Sequence, residues 1–364
     1  MTELKELAVT KEFSLFQEIS STNHEQVVFC NDAETGLKAI IGIHNTVLGP
    51  ALGGCRIWNY ASEQEALNDV LRLSRGMTYK NAISGLNLGG GKAVIIGDSR
   101  TIKTKAFMQR FGRFVNDLGG KYISAEDVGV NTTDIENMFE VTKYVSGKPQ
   151  HLGGGGDPSV FTAYGVYLGM KASAKKAFGT DSLAGKRIAV QGVGHVGSLL
   201  LGHLQKEGAV LFVSDFFEDK AIEAAAKFGA TLVGLNEIYD LDVDIYAPCA
   251  LGATLNDDTI GRLKCSVIAG AANNQLKDEV KHGNELMAKG IIYAPDFLIN
   301  AGGVINVYQE VIGYNEAAAY ASVEKIYQFT ADLLDKAELE GITTQQAALN
   351  TAEARIAAAK AMKK

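Results

Sequence analysis

The chain has 364 residues, 46% of them hydrophobic, and 35 Lys and Arg against 42 Asp and Glu, for a formal net charge of −7. That length suits two domains with real cores, and scattered basic residues on an acidic chain exclude a nucleic-acid footprint. No apolar run approaches the roughly 18 residues of a membrane span, and Met1 to Ser20 lacks the apolar core of a signal peptide.

The first half opens on two strand-like runs, Gln26 to Cys30 and Leu37 to His44, joined by a turn at Gly36, which predicts a hairpin. Gly49-Pro50-Ala51-Leu52-Gly53-Gly54 then breaks the pattern before Cys55-Arg56-Ile57-Trp58; it reads either as a plain turn or as a pocket wall with Leu52 turned inward. Ser62 with Glu65 three residues on predicts a capping box. The apolar stripe Leu67, Val70, Leu71, Ser74, Met77 marks the core face of the helix that follows. Continued at helical spacing, it brings Lys80 or Asn81 near the buried side. A lysine there is costly unless it is paired, functional or snorkelling outward.

Gly89-Gly90-Gly91-Lys92 is expected to be a loop at the mouth of a strand, Ala93 to Ile96, its bare N–H groups able to grip a carboxylate. Two lysines flanking such a loop suggest a site for a small anion, or only an ordinary turn. A helix over Lys103 to Leu118 and a strand over Lys121 to Ala125 follow, ending at Glu126-Asp127. Thr132, Thr133 or Asp134 is expected to cap the next helix, which leaves Asp127 free for chemistry.

Leu152-Gly153-Gly154-Gly155-Gly156-Asp157-Pro158 is the clearest boundary, a linker or an interdomain hinge. Asp157 as N-cap and Pro158 at the first helical position start a long helix to about Ala177, with Thr162 one turn in. Next comes an apolar run at Ile188, Ala189 and Val190, then Gly192-Val193-Gly194-His195-Val196-Gly197, a helix from Val196 to Glu207, a strand from Val210 to Val213, and Asp215. Strand, G-x-G-x-x-G turn, helix, strand and acid fall in the register of a Rossmann-type dinucleotide-binding unit. The helix N-terminus offers N–H groups to a pyrophosphate, and Asp215 sits where a carboxylate holds ribose hydroxyls and repels a 2′-phosphate. NAD is therefore the expected cofactor. Strands are predicted at Val243 to Ala247, Cys265 to Ala269 and Gly290 to Ala294, their loops facing the nicotinamide. The Ala-rich tail from Asn315 is predicted to be helical. The four cysteines, Cys30, Cys55, Cys249 and Cys265, form no C-x-x-C pair and have no His at ligand spacing. They read as buried small hydrophobes in a reducing, cytoplasmic setting, with no metal site.

In this order, Gly49 to Gly54, Lys80-Asn81, Gly89 to Lys92, Ala125 to Gly129, Gly192 to Gly197, Ala272-Asn273-Asn274-Gln275 and Asn300-Ala301-Gly302-Gly303 resemble the glutamate/leucine/phenylalanine/valine dehydrogenase family over nearly the whole chain. The resemblance implies an α/β protein of two domains separated by a cleft. Residues 1–150 would bind substrate and oligomerise, 151–332 would be the Rossmann domain, and 333–364 would form helices packing back on the first. It implies reversible, NAD-dependent oxidative deamination of an L-amino acid to a 2-oxo acid and ammonia, by a homo-oligomer, an octamer.

Residue by residue, it assigns Lys80, Gly89, Gly90 and Asn274 to the substrate α-carboxylate, Lys92 as the catalytic lysine and Asp127 as the proton carrier. Thr162 and Asn274 lie near the nicotinamide; Gly192, Val193, Gly194, His195, Val196, Gly197 and Asp215 hold the rest of the cofactor. Glutamate-specific members carry a lysine at the Leu52 position. With Leu52, Ala125, Val304 and Val307 around the side chain, branched-chain substrates are expected, and valine or phenylalanine preference is the near alternative. Val307-Tyr308-Gln309 departs from the pattern of the branched-chain members. A non-catalytic NAD sensor would have lost Lys80, Lys92 or Asp127. A hydroxy-acid dehydrogenase would need a His paired with a carboxylate, and none of the six histidines has an evident partner in the sequence.

Overall fold

The computed structural model describes residues 14–363; residues 1–13, most of the leader-free stretch expected over Met1 to Ser20, and Lys364 lie outside it. The first domain runs α1 (Leu15–Ser21), β1 (Gln26–Asp32), β2 (Leu37–Asn45), β3 (Ala51–Trp58), α2 (Glu63–Ile83), β4 (Gly89–Ile96), α3 (Lys105–Asp117), β5 (Tyr122–Ala125) and α4 (Thr132–Phe139). Its sheet has the order β1-β2-β4-β3-β5, antiparallel at β1/β2 and β2/β4 and parallel at β3/β4 and β3/β5.

Alternation along β4 sorts the two faces. Ala93 and Ile95 join Phe107, Phe111 and Met138 of α3 and α4, while Val94 joins Leu67, Val70 and Leu71 of α2. Lys92 shares parity with Val94 and so emerges on the α2 side, where Lys80 also sits.

Three local expectations are corrected. Gly53 and Gly54 lie inside β3, and Gly89 to Lys92 inside β4, rather than in loops. A β-carbon on Gly53 would meet the Gly91 carbonyl oxygen at 1.8 Å, and one on Gly91 would meet the Tyr122 ring at 2.7 Å, so each strand needs glycine there. Ser62 does accept from the Glu65 N–H, but the Glu65 carboxylate returns to the N–H of Ala61, not of Ser62. Asn131, not one of the three residues after it, caps α4, in a reciprocal box with Asp134.

The second domain runs α5 (Pro158–Phe178), β6 (Arg187–Gln191), α6 (His195–Lys206), β7 (Val210–Ser214), α7 (Glu218–Phe228), β8 (Thr231–Leu232), β9 (Ile245–Pro248), β10 (Val267–Ile268), α8 (Glu279–Ala288), β11 (Ile292–Tyr293), α9 (Asp296–Ile299), α10 (Gly302–Ile312), α11 (Glu316–Glu340) and α12 (Thr344–Met362). Its sheet is wholly parallel, β11-β10-β9-β6-β7-β8, which counted from β6 is the doubly wound order 3-2-1-4-5-6. Asp157 caps α5 with Pro158 in its first turn, as expected. The boundary expected between 332 and 333 falls inside α11, which runs unbroken across it.

The chain then crosses back. From α12, Arg355 donates to the carbonyl oxygens of Ala82 (2.9 Å), Gly85 (3.0 Å) and Leu86 (2.7 Å), capping the C-terminal end of α2. The helix that carries Lys80 is thus held by the last helix of the chain. Cys30, Cys55 and Cys265 are buried and Cys249 partly so, all as free thiols. No helix among the described residues is long and apolar enough to cross a membrane.

Candidate active site

A cavity of about 450 Å³ opens between the two domains. From the first domain it is lined by Leu52, Gly54, Lys80, Lys92, Ala125 and Asp127; from the second by Thr162, Val196, Asn274, Val304 and Val307. Sequence elements more than 200 residues apart therefore meet in one place. Leu52 is 2% exposed and forms part of the apolar wall with Val307.

Lys92 is 7% exposed, and its ammonium forms an ion pair with Asp127. A second cation shares that carboxylate: Arg56 Nε lies 3.3 Å from Asp127 Oδ2. The Arg56 guanidinium is itself anchored 3.0 Å from Asp69, which also accepts from Tyr60 (2.7 Å) and Arg72 (2.8 Å). Burial alone would push the Asp127 carboxyl up. Lys92 and Arg56 outweigh it and hold the group down at about 2, fully ionised. Lys80 stands apart from this cluster, and burial brings it down to about 8 against the opposing charge of Asp296.

Gly89 and Gly90 are not brought into the cavity. The Gly89 N–H donates to the Pro50 carbonyl at 2.9 Å, and a β-carbon on Gly90 would strike Thr78 Oγ1 at 2.1 Å. Gly90 lets β4 pass beneath α2, and the Gly89 N–H is already committed to the backbone. The glycines that do border the cavity are Gly54, Gly76 and Gly303, the first from the run read either as a turn or as a pocket wall. Arg56 and Met77 were missed, whereas Asp296 and Asn300 come from the loop after the Gly290 to Ala294 strand that was expected to face the nicotinamide.

The fingerprint lies beside the cavity at the carboxyl end of β6. Gly192 takes φ +98°, and a β-carbon on Gly197 would meet the Gly192 carbonyl at 2.1 Å. Gly194 has open space above it, and no side chain caps α6, so the first-turn N–H groups remain available for a pyrophosphate. Val193 is a core side chain, and its N–H donates to Asp215 at 2.8 Å; Phe217 N–H binds the other oxygen at 2.9 Å. The acid is thus held at the end of β7 by backbone, where it suits ribose hydroxyls. The residues fit an NAD.

Three histidines do have carboxylate neighbours, contrary to expectation: His195 lies 3.5 Å from Asp157, His151 3.8 Å from Glu136, and His282 3.4 Å from Asp257. None of them lines the cavity, nor does any other histidine among the described residues, so the hydroxy-acid arrangement is missing where it would be needed. Asp257, His282 and Glu285 have metal-like spacing. However, His282 Nδ1 already accepts from the Asp278 N–H, so its Nε2 carries the proton and faces Asp257 as a donor.

Residues 24–144 match the family described as Glu/Leu/Phe/Val dehydrogenase, dimerisation domain, and residues 217–363 match Glutamate/Leucine/Phenylalanine/Valine dehydrogenase. The leucine dehydrogenase of Thermoactinomyces intermedius is 56% identical over 94% of this chain and 93% of its own length. That of Bacillus cereus is 54% identical over 95% and 94%. Among solved structures, the L-tryptophan dehydrogenase of Nostoc punctiforme superposes with a TM-score of 0.83 at 47% identity, over 95% of this chain and 99% of that one.

Proposed function

The chain belongs to the glutamate/leucine/phenylalanine/valine dehydrogenase family, and from that premise we propose how the residues of its cleft divide the work. It is an NAD-dependent amino-acid dehydrogenase of the leucine dehydrogenase type, which reversibly deaminates L-leucine and other branched-chain L-amino acids. An L-amino acid, NAD⁺ and water give the 2-oxo acid, ammonium, NADH and a proton.

In our reading, Lys80 and Asn274 hold the substrate α-carboxylate, and the branched side chain lies among Leu52, Ala125, Val304 and Val307. NAD, held by Gly192 to Gly197, Asp215 and the Thr162 side of the cleft, supplies the acceptor for the Cα hydride. Lys92 orients and activates the water that attacks the imine carbon and stabilises the oxygen that develops there. Asp127 accepts a proton from the substrate amine and returns one to the departing ammonia. The observation that carries this division is the Lys92–Asp127 pair, buried in the wall of the interdomain cavity that Leu52, Ala125, Val304 and Val307 also line. A buried, hydrogen-bonded pair of fixed geometry places both groups without reorganisation during the reaction.

The test is NADH formation from L-leucine, L-isoleucine, L-valine, L-phenylalanine and L-glutamate. Branched substrates well ahead support the pocket; phenylalanine ahead keeps the chemistry and refutes the pocket.

We also propose a homo-oligomer, an octamer, that works in the cytoplasm. Supporting the first is β1, an edge strand with Phe29 55% exposed, inside the region matched to a dimerisation domain. Supporting the second are four unpaired thiols. Light scattering on the purified protein tests the assembly.

A further inference from the structure

We propose that Asp296, on the cofactor-binding domain, is the counter-charge of Lys80 across the cleft and sets the alkaline limit of substrate-carboxylate binding. The proposal rests on the reading of Lys80 as the carboxylate holder.

Lys80 comes from the last turn of α2 and Asp296 opens α9; the two helices touch, and both side chains border the same cavity. Asp296 is 6% exposed, yet among the described residues no cation lies within salt-bridge distance of it. One oxygen accepts from the Gln275 N–H at 2.9 Å, in the Asn273-Asn274-Gln275 loop where Asn274 is held at φ +53°. Lys80 likewise has no carboxylate within salt-bridge distance among the described residues. A buried anion and a partly buried ammonium thus face each other in low-dielectric surroundings without contact. Each feels the other's charge there, and the Lys80 ammonium is left without a direct partner until a substrate carboxylate supplies one.

Each group registers the other. Burial raises the Asp296 carboxyl to about 6 while Lys80 lowers it, and Asp296 is the main charge opposing the fall of Lys80 to about 8. The other charged groups around the pair are Lys92 and Asp127 from the first domain, Glu279 from the second, and Arg72 and Arg75 on α2 itself, beside the neutral phenol of Tyr293. Of the acids, Asp127 is already committed to Lys92 and Arg56, and Glu279 is exposed. Asp296 is therefore the anion whose removal Lys80 feels most. It acts through Lys80 as a positioning residue and need not touch the reacting atoms.

The sign of the effect separates this role from a structural one. Without the Asp296 charge, Lys80 loses its proton at lower pH, so carboxylate binding fails earlier on the alkaline side. Below that range Lys80 is charged in either protein, and removing a neighbouring anion leaves the carboxylate equally or more tightly bound.

The experiment is the pH dependence of isocaproate binding to the NADH complex, followed by NADH fluorescence, in the wild type and Asp296→Asn, which keeps an acceptor for Gln275. Wild-type affinity is expected to fall above about pH 8. In the variant the fall begins about half to one pH unit lower, leaving binding about three- to tenfold weaker at the alkaline end and no weaker at about pH 6.5. Coincident curves, or a uniform loss at every pH, would overturn the proposal. Lys80→Arg is the control. It should abolish the alkaline fall and, combined with Asp296→Asn, show no displacement. If the fall survives Lys80→Arg, the titrating group is not Lys80 and the reading of that lysine fails. If the fall vanishes there yet Asp296→Asn moves nothing, only the role of Asp296 fails.

Discussion

Gly54 and Asp127 approach so closely that a β-carbon on Gly54 would lie 2.8 Å from the Asp127 β-carbon and 2.3 Å from the Glu126 carbonyl oxygen. The missing side chain on β3 is what lets the segment after β5 lay Asp127 against Lys92. Gly54→Ala must therefore displace backbone. We expect turnover to fall by about 100-fold, since misplacement of a reacting group by about 1 Å has that effect, while NADH binding is retained. Stopped-flow turnover and NADH fluorescence titration separate the two.

Arg56→Gln removes one of the two cations that hold the Asp127 carboxyl near 2. A carboxyl depressed in the folded state adds stability that is present above its unfolded value, near 4, and is lost as pH falls through the folded value. For Asp127 in the wild type that loss runs from about pH 4 to about pH 2 and amounts to on the order of 2 kcal/mol. In the variant the depression is smaller, so less stability is gained above pH 4. Urea unfolding at about pH 5 should show the variant to be weaker, with the difference closing toward about pH 2.

Leu52→Lys places a cation at the end of the side-chain pocket, where Leu52 is 2% exposed. Unpaired, that lysine costs several kcal/mol and lowers the melting temperature. L-leucine turnover should drop by about 100-fold or more, and L-glutamate, whose side-chain carboxylate can pair the lysine, should become the better substrate of the variant. Ratios of kcat/KM for the two amino acids check this.

Much of this site could be read from the chain alone, for identifiable reasons. The fingerprint is local: three glycines, a following helix and an acid fall within 25 residues, and short-range geometry determines all of them. Asp157-Pro158 is equally local. The failures share a cause as well. Gly53-Gly54 and Gly89 to Gly91 carry the composition of turns, but their glycines serve strand-on-strand and strand-on-helix approach, which depends on partners distant in sequence. Arg56 reads as an ordinary strand residue, and its role exists only once β3 lies beside the end of β5. Asp296 looks like a helix-start acid, and nothing local shows that α2 will close over it. The two residues of β8 bear no pattern long enough to detect.

Arg355→Met should destabilise the protein by about 2–4 kcal/mol, because it leaves several carbonyls at the end of α2 without donors. The loss should be local first. Amide exchange in α12 and in the last turn of α2 should accelerate together, and the KM for L-leucine should rise more than kcat falls, since Lys80 rides on that turn.

The most direct test of the account is Lys92→Ala assayed with L-leucine and NAD at saturating concentrations, beside a binding titration with NADH. The account predicts turnover reduced by at least about 1,000-fold with NADH affinity unchanged, because the lysine acts on the substrate and not on the cofactor. Turnover within tenfold of the wild type would contradict it and remove Lys92 from the chemistry.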